Sequence, residues 1–229
     1  MELLLTLIAL FTGGAIPIFW LVLGADYARR KGFQNPMQRF NLIHDYMKGY
    51  MKYLLIPALI VLVLIWIYSA QAYPDLANRI WAGIWIGVLS SIALDIVRLI
   101  GVKLGWMPMD MPPVFGIMIA GPKASSATHL WVGYLYHFLN GIDFAIVYTL
   151  VVGPGEWWWG VIWALLVELG MMLLVPVLMP GHTVFGFNKG IGIFGVSLVA
   201  HIAMGLVIGF LAQAFVNGDY TIFSLIENL

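Results

Sequence analysis

Six long apolar runs, broken by short polar stretches, organise the chain: 3–23, 53–72, 80–102, 129–152, 158–179 and 191–216. Each comes close to the ~20 residues that a helix needs to cross a ~30 Å hydrocarbon layer. None alternates apolar and polar positions as a membrane barrel strand does, so the runs predict helices. The expected fold class is an all-α membrane protein, a six-transmembrane-helix bundle, with residues 1–229 forming a single integral membrane domain.

Two connections are longer than a crossing requires. Over about 36–51, Met37, Phe40, Ile43, Met47 and Tyr50 recur at helical spacing, with Arg39 and Lys48 between them and Lys52 just beyond. That pattern predicts a basic amphipathic helix lying on the inner leaflet. The stretch from Gly105 to Ser126 carries Pro108, Pro112, Pro113 and Pro122 and cannot be one helix. It reads as a membrane-hugging or partly re-entrant loop. Surface anchoring is the simpler role for both segments.

Composition sharpens the picture. Apolar residues make up 62% of the chain and charged residues 10%, against about 25% charged in an ordinary soluble domain. A soluble core of this size would not hide so much apolar surface, so the lipid bilayer is the implied partner. Membrane-protein partners or a homo-oligomer stay open. Basic and acidic residues number 11 each, and zero formal net charge offers no field to attract nucleic acid.

The basic residues are instead distributed by topology. Arg29, Arg30, Lys31, Arg39, Lys48, Lys52, Arg98, Lys103, Lys123 and Lys189 fall on one side of the six-helix map. Arg79 alone falls on the other, together with Asp75, Glu156, Asp219 and Glu227. The positive-inside rule then places the N-terminus and the C-terminus outside, in an inner (cytoplasmic) cell membrane. The first run has basic residues after it and none before it, which is the pattern of a retained helix and not of a cleaved signal. Trp157, Trp158 and Trp159 stand where the fifth run should meet the outer interface, with Trp20 and Trp81 near other helix ends.

Spacing also predicts contacts. Gly83 and Gly87, and Gly205 and Gly209, lie four apart and would let neighbouring helices approach closely. Asp95 and Arg98, three apart, share a face and can pair.

Polar and ionisable groups inside apolar helices are costly, and here they are few: Asp95, Arg98, His137, Asn140, Asp143, Glu168 and His201. At ~1.5 Å per residue, Asp95 and Arg98 lie ~6–10 Å from the inner helix ends, and His137, His201 and Glu168 lie ~12–17 Å. Asp143 is higher, at ~21 Å. Four runs thus bring ionisable groups into one band. His137 and Asn140 share a face, whereas Asp143 points elsewhere and can face an outward vestibule.

Three functional readings follow. The band can bind or conduct a cation, a proton or a small solute. Alternatively, the chain is a haem- or metal-binding subunit of a redox complex. In that case His137 and His201 ligate haem b, Gly141 and Gly205 leave room for the porphyrin edge, and Arg98 meets a propionate. A related possibility is a divalent metal held by His137, His201 and Glu168. The third reading is an accessory subunit whose polar groups only tie helices together. With no cysteine, thiolate nucleophiles, iron–sulfur clusters and cysteine-based zinc sites are excluded. No Walker loop, nucleophile elbow or His-Glu-x-x-His signature points to an enzyme.

Residues His137-Phe-Leu-Asn-Gly141 with Tyr148, Trp157–Trp159 with Gly160, and Pro176 followed by Leu178-Met-Pro180 and His182 form a further pattern. Phe185-Gly-Phe-Asn188 and Ala200-His201 with Gly205 complete it. Over 131–210 the chain resembles uncharacterised polytopic bacterial and archaeal membrane proteins of the domain-of-unknown-function type. In that group a histidine often stands where this chain has Glu168. The resemblance implies a helical bundle and carries no activity.

Overall fold

A computed structural model describes residues 1–178 and 181–218, without the side chains of 19–22, 25, 174, 177 and 178. The Trp20 side chain, Met179, Pro180, Asp219 and Glu227 lie outside the described residues. The protein is all-helical among the described residues. Helix α1 (Glu2–Leu10) passes through a π-turn (Phe11–Ala15) into α2 (Ile16–Lys31). Helix α3 (Pro36–Tyr50) passes through a second π-turn (Met51–Leu55) into α4 (Ile56–Ala72). Then come α5 (Pro74–Lys103), α6 (Pro112–Ala120), α7 (Ser126–Val151), α8 (Trp157–Leu178) and α9 (Gly192–Phe215), with a 3-10 segment (Val184–Lys189) before α9.

The two π-turns share a cause. Pro17 and Pro57 follow them within the next helical turn, and each proline ring would clash with a regular ladder and leave a carbonyl unpaired. Widening the turn moves the preceding bonds outward: Ile16 N–H donates to the Phe11 carbonyl and Ile56 N–H to the Met51 carbonyl. The helix therefore survives the proline.

Four helical rods are long and apolar enough to cross a membrane: Pro36–Ala72, Pro74–Lys103, Ser126–Val151 and Gly192–Phe215. Shorter apolar stretches occupy Glu2–Ile18 and Trp157–Leu173. On α4, Ile56, Ile60, Val63, Leu64 and Ile67 are exposed while Ala58, Leu62 and Ile65 are buried. A helix apolar on both faces has nothing to gain from water on the outer one.

The basic amphipathic segment departs from its expected place. It begins as expected, with the Asn35 side chain accepting from Gln38 N–H at 2.9 Å and Pro36 at the first helical position. It does not end before the apolar run but continues into α4 as one 37-residue rod. Its apolar face is covered by protein: Ile43, Met47 and Tyr50 are buried in a cluster with Phe115, Met118 and Tyr136.

The proline-rich stretch contains a helix of its own. Gly121 ends α6 with φ 86°, in the left-handed region that glycine adopts without strain. The last carbonyls of α6 find ring partners: His44 Nδ1 donates to Ile119 O at 2.7 Å, and His129 Nε2 to Gly121 O at 2.9 Å. Added methyl groups on Gly116 and Gly133 would lie 1.8 Å from backbone oxygens of the facing helix, so α6 and α7 cross in close contact.

Helices α5, α7 and α9 form the centre, with α8 against α9 and α4 against α5. The glycine pairs sit at these crossings. A methyl on Gly87 would lie 2.4 Å from Ile142 Cα, and one on Gly209 would lie 1.9 Å from Trp157 O. Arg79, at the start of α5, donates to the Thr149 carbonyl in the last turn of α7 at 3.3 Å. That places a cation where the α7 dipole is negative.

Candidate functional site

Helices α5, α7, α8 and α9 enclose a cavity of about 120 Å³, closed at one end by the loop before α6 and by Phe115 on α6. The space suits a few waters or a small partly dehydrated ion. Into it α5 contributes Ser91 and Arg98, α7 contributes His137 and Asn140, and α9 contributes Ser197 and His201. Of the polar groups named from the sequence, Arg98, His137, Asn140 and His201 line it.

The polar groups form two networks. On one side, His137 Nε2 lies 2.8 Å from Asp95 Oδ1, off the axis of a good hydrogen bond, so the contact is chiefly Coulombic. Arg98 Nη2 reaches the same Asp95 oxygen at 2.7 Å, as their spacing of three on α5 predicts. Arg98 Nη1 also contacts Asp110 from the loop before α6. Tyr134 closes the ring by donating to Asp110 Oδ2 at 3.2 Å. Arg98 and Asp95 are both buried.

On the other side, Ser197 Oγ donates to Glu168 Oε2 at 2.7 Å, and His201 Nδ1 lies 2.8 Å from that oxygen. His201 Nδ1 is also 2.9 Å from the Ser197 carbonyl one turn back. A carbonyl can only accept, so Nδ1 carries a proton and the neutral ring keeps its lone pair on Nε2. Asp95 and Glu168 are not among the residues lining the cavity. They stand behind the imidazoles and hold them from the rear, as carboxylates orient histidine ligands.

His137, His201 and Glu168 do not form the expected three-ligand set. The structure arranges them as two pairs, His137 with Asp95 and His201 with Glu168. Among the described residues no group of three His, Asp or Glu side chains stands ready to hold a metal. The room foreseen beside Gly141 and Gly205 for a porphyrin edge is taken by neighbouring helices. A methyl on Gly141 would lie 1.8 Å from Ser91 Oγ, and one on Gly205 would lie 2.6 Å from Gly160 O. These glycines serve helix crossings, so the residues do not fit a haem in the way their spacing suggested.

Asn140 faces the cavity, and its buried Oδ1 has no hydrogen-bond partner among the described residues. Asp143 does not join it. It is 1% exposed, is not among the lining residues, and neither carboxyl oxygen has a hydrogen-bond partner among the described residues. The outward vestibule expected for it is therefore not at this cavity.

Sequence reasoning missed Asp110, Tyr134 and Ser197. Tyr134 and Ser197 carry a signal in retrospect, standing one turn before His137 and His201. Asp110 gives none, because only the fold of the loop brings it to Arg98. The methionines of the cavity, Met107, Met111, Met171, Met172 and Met204, were also passed over as ordinary apolar positions. Comparison with protein-family models, with curated proteins and with solved structures gives no match to this chain.

Proposed function

We propose that this chain is a multi-pass protein of the cytoplasmic membrane whose central cavity binds a cation and exchanges it for protons. The observation that carries this reading is the pair of imidazoles facing one cavity, each backed by a carboxylate. With both imidazoles protonated, the contacts His137–Asp95, His201–Glu168 and Arg98–Asp110 are three neutral acid–base pairs. A monovalent cation that enters replaces one imidazole proton charge for charge, a divalent cation two, and each meets the neutral imidazole so freed.

Energetics favour a site over helix glue. Insertion scales charge a central Asp about 2.5–3.5 kcal/mol, while interhelical hydrogen bonds in membranes average only ~0.6 kcal/mol. Asp95 and Glu168 each make two side-chain contacts, which at that average still fall short of the cost of a carboxylate at depth. In the membrane arrangement that goes with this reading, the rod through α1 and α2 and helix α8 join the four longer rods to give six crossings. The basic loops are cytoplasmic and both termini outside. The chain resembles polytopic membrane proteins of unknown function, and binding, not catalysis, is the activity that its polar groups support.

Equilibrium dialysis of the detergent-purified protein against Na⁺, Zn²⁺ and Ag⁺ tests the reading. At least one cation is expected to bind stoichiometrically, with Glu168→Gln weakening it and His201→Leu losing it while both still purify as folded species. Binding of none of the three overturns the proposal. So does its retention in both variants with only thermal stability lost, which would make the polar groups helix glue and the chain an accessory subunit.

A further inference from the structure

We infer that the cavity is built for a soft monovalent cation, Cu(I), held between imidazole nitrogen and methionine sulfur. The inference rests on the cavity being the cation site proposed above and names the class of cation it takes.

The chain has 12 methionines and no cysteine, so thioether is its one form of sulfur ligand. Five of the methionines border this cavity: Met107 and Met111 from the loop before α6, Met171 and Met172 from α8, and Met204 from α9. Methionine is a common filler of irregular gaps in cores. A filler, however, leaves no gap. Here the five methionines line space that remains open, and they share it with His137 and His201.

The carboxylates that harder cations require do not face the cavity. Asp95 Oδ1 is taken by Arg98 and His137, and Glu168 Oε2 by Ser197 and His201. Neither residue lines the cavity, and no group of three His, Asp or Glu side chains is assembled among the described residues. Zinc therefore lacks its usual four-ligand set, and calcium or magnesium would find only Asn140 Oδ1 and the hydroxyls of Ser91 and Ser197, short of the roughly six oxygens they take. Thioether sulfur and imidazole nitrogen select soft, low-coordinate Cu(I). The charges agree with a small cation, since Asp95, Asp110 and Glu168 outnumber Arg98 around the site. No redox step is involved; copper enters and leaves as Cu(I).

The test uses Ag⁺, a redox-inert analogue of Cu(I), and Cu(I) itself under anaerobic competition with a chromophoric chelator, on the full chain in detergent. Both should bind at one per chain, at least ~100-fold tighter than Zn²⁺, a margin beyond what outer-sphere changes produce. The triple variant Met171→Leu, Met172→Leu, Met204→Leu keeps side-chain volume and should weaken Ag⁺ binding by at least ~10-fold. The exposed Met37→Leu should not change it. X-ray absorption at the copper edge of the wild-type protein needs no variant and should show both sulfur and nitrogen neighbours. Copper with only nitrogen and oxygen neighbours overturns the inference, as does Ag⁺ binding that the triple variant leaves intact. If Zn²⁺ or Na⁺ binds and Ag⁺ does not, the choice of Cu(I) fails while the cation site stands. If none binds, both fall.

Discussion

His201 Nδ1 and Glu168 Oε2 meet at 2.8 Å across the crossing of α8 and α9, and Ser197 donates to the same oxygen at 2.7 Å. Glutamine at 168 keeps a carbonyl acceptor for Ser197 and loses the charge behind the imidazole. Glu168→Gln should therefore weaken cation binding by ~10–100-fold with little loss of stability. Glu168→Leu strands the Ser197 hydroxyl, while His201 Nδ1 keeps the Ser197 carbonyl, and should also cost about 1–3 kcal/mol of stability. Thermal unfolding in detergent, measured beside binding, separates the two effects.

Arg98 sits between Asp95 and Asp110 and is buried. Removing one partner of a buried ion pair leaves the other uncompensated, so Arg98→Ala should destabilise by about 3–5 kcal/mol. Adding Asp110→Ala should recover part of that loss. A double-mutant cycle with no coupling between the two positions would mean that the contact holds nothing together.

Close helix crossings predict a contrast between two glycines. A methyl on Gly87 would lie 2.4 Å from Ile142 Cα, a backbone atom that cannot turn aside, whereas one on Gly170 meets nothing within 4 Å. Gly87→Ala should cost about 1–3 kcal/mol by overpacking. Gly170→Ala should be neutral or stabilise by roughly 0.5–1 kcal/mol. Melting temperatures of the two variants check this directly, and equal values would contradict the α5–α7 packing.

The proposed orientation is testable without background because the chain has no cysteine. Single cysteines at Gln34 and Ser125 should be shielded from an impermeant thiol reagent in intact cells, and one at Asn217 should react. The reverse pattern would invert the topology and put the α6 end of the cavity toward the outside.

Much of the site was legible because helix periodicity fixes which residues share a face and a depth. Asp95 with Arg98, the common band of His137, His201 and Glu168, and the contact glycines at 83, 87, 205 and 209 all follow from spacing alone. Periodicity does not say which face of one helix meets which face of another. That is why the His137–Asp95 contact, and the arrangement as two pairs instead of a metal triad, had to come from the structure. The merging of α3 with α4 was hidden for a related reason. The pattern changes character between the segment at about 36–51 and the run at 53–72, and the sequence carries no mark of the π-turn (Met51–Leu55) that joins them. The folded-back α6 brings Asp110, Met107 and Met111 to a site whose other members include His201 and Met204 on α9.

The most direct test of the account is calorimetric titration of the purified protein with Ag⁺, Zn²⁺ and Na⁺, each in two buffers of different ionisation enthalpy. The difference between buffers counts the protons released per cation bound. The account predicts that binding releases protons from the wild-type protein, and that His137→Leu with His201→Leu abolishes both binding and release. Cation binding with no proton release, or unchanged release in the double variant, would contradict it.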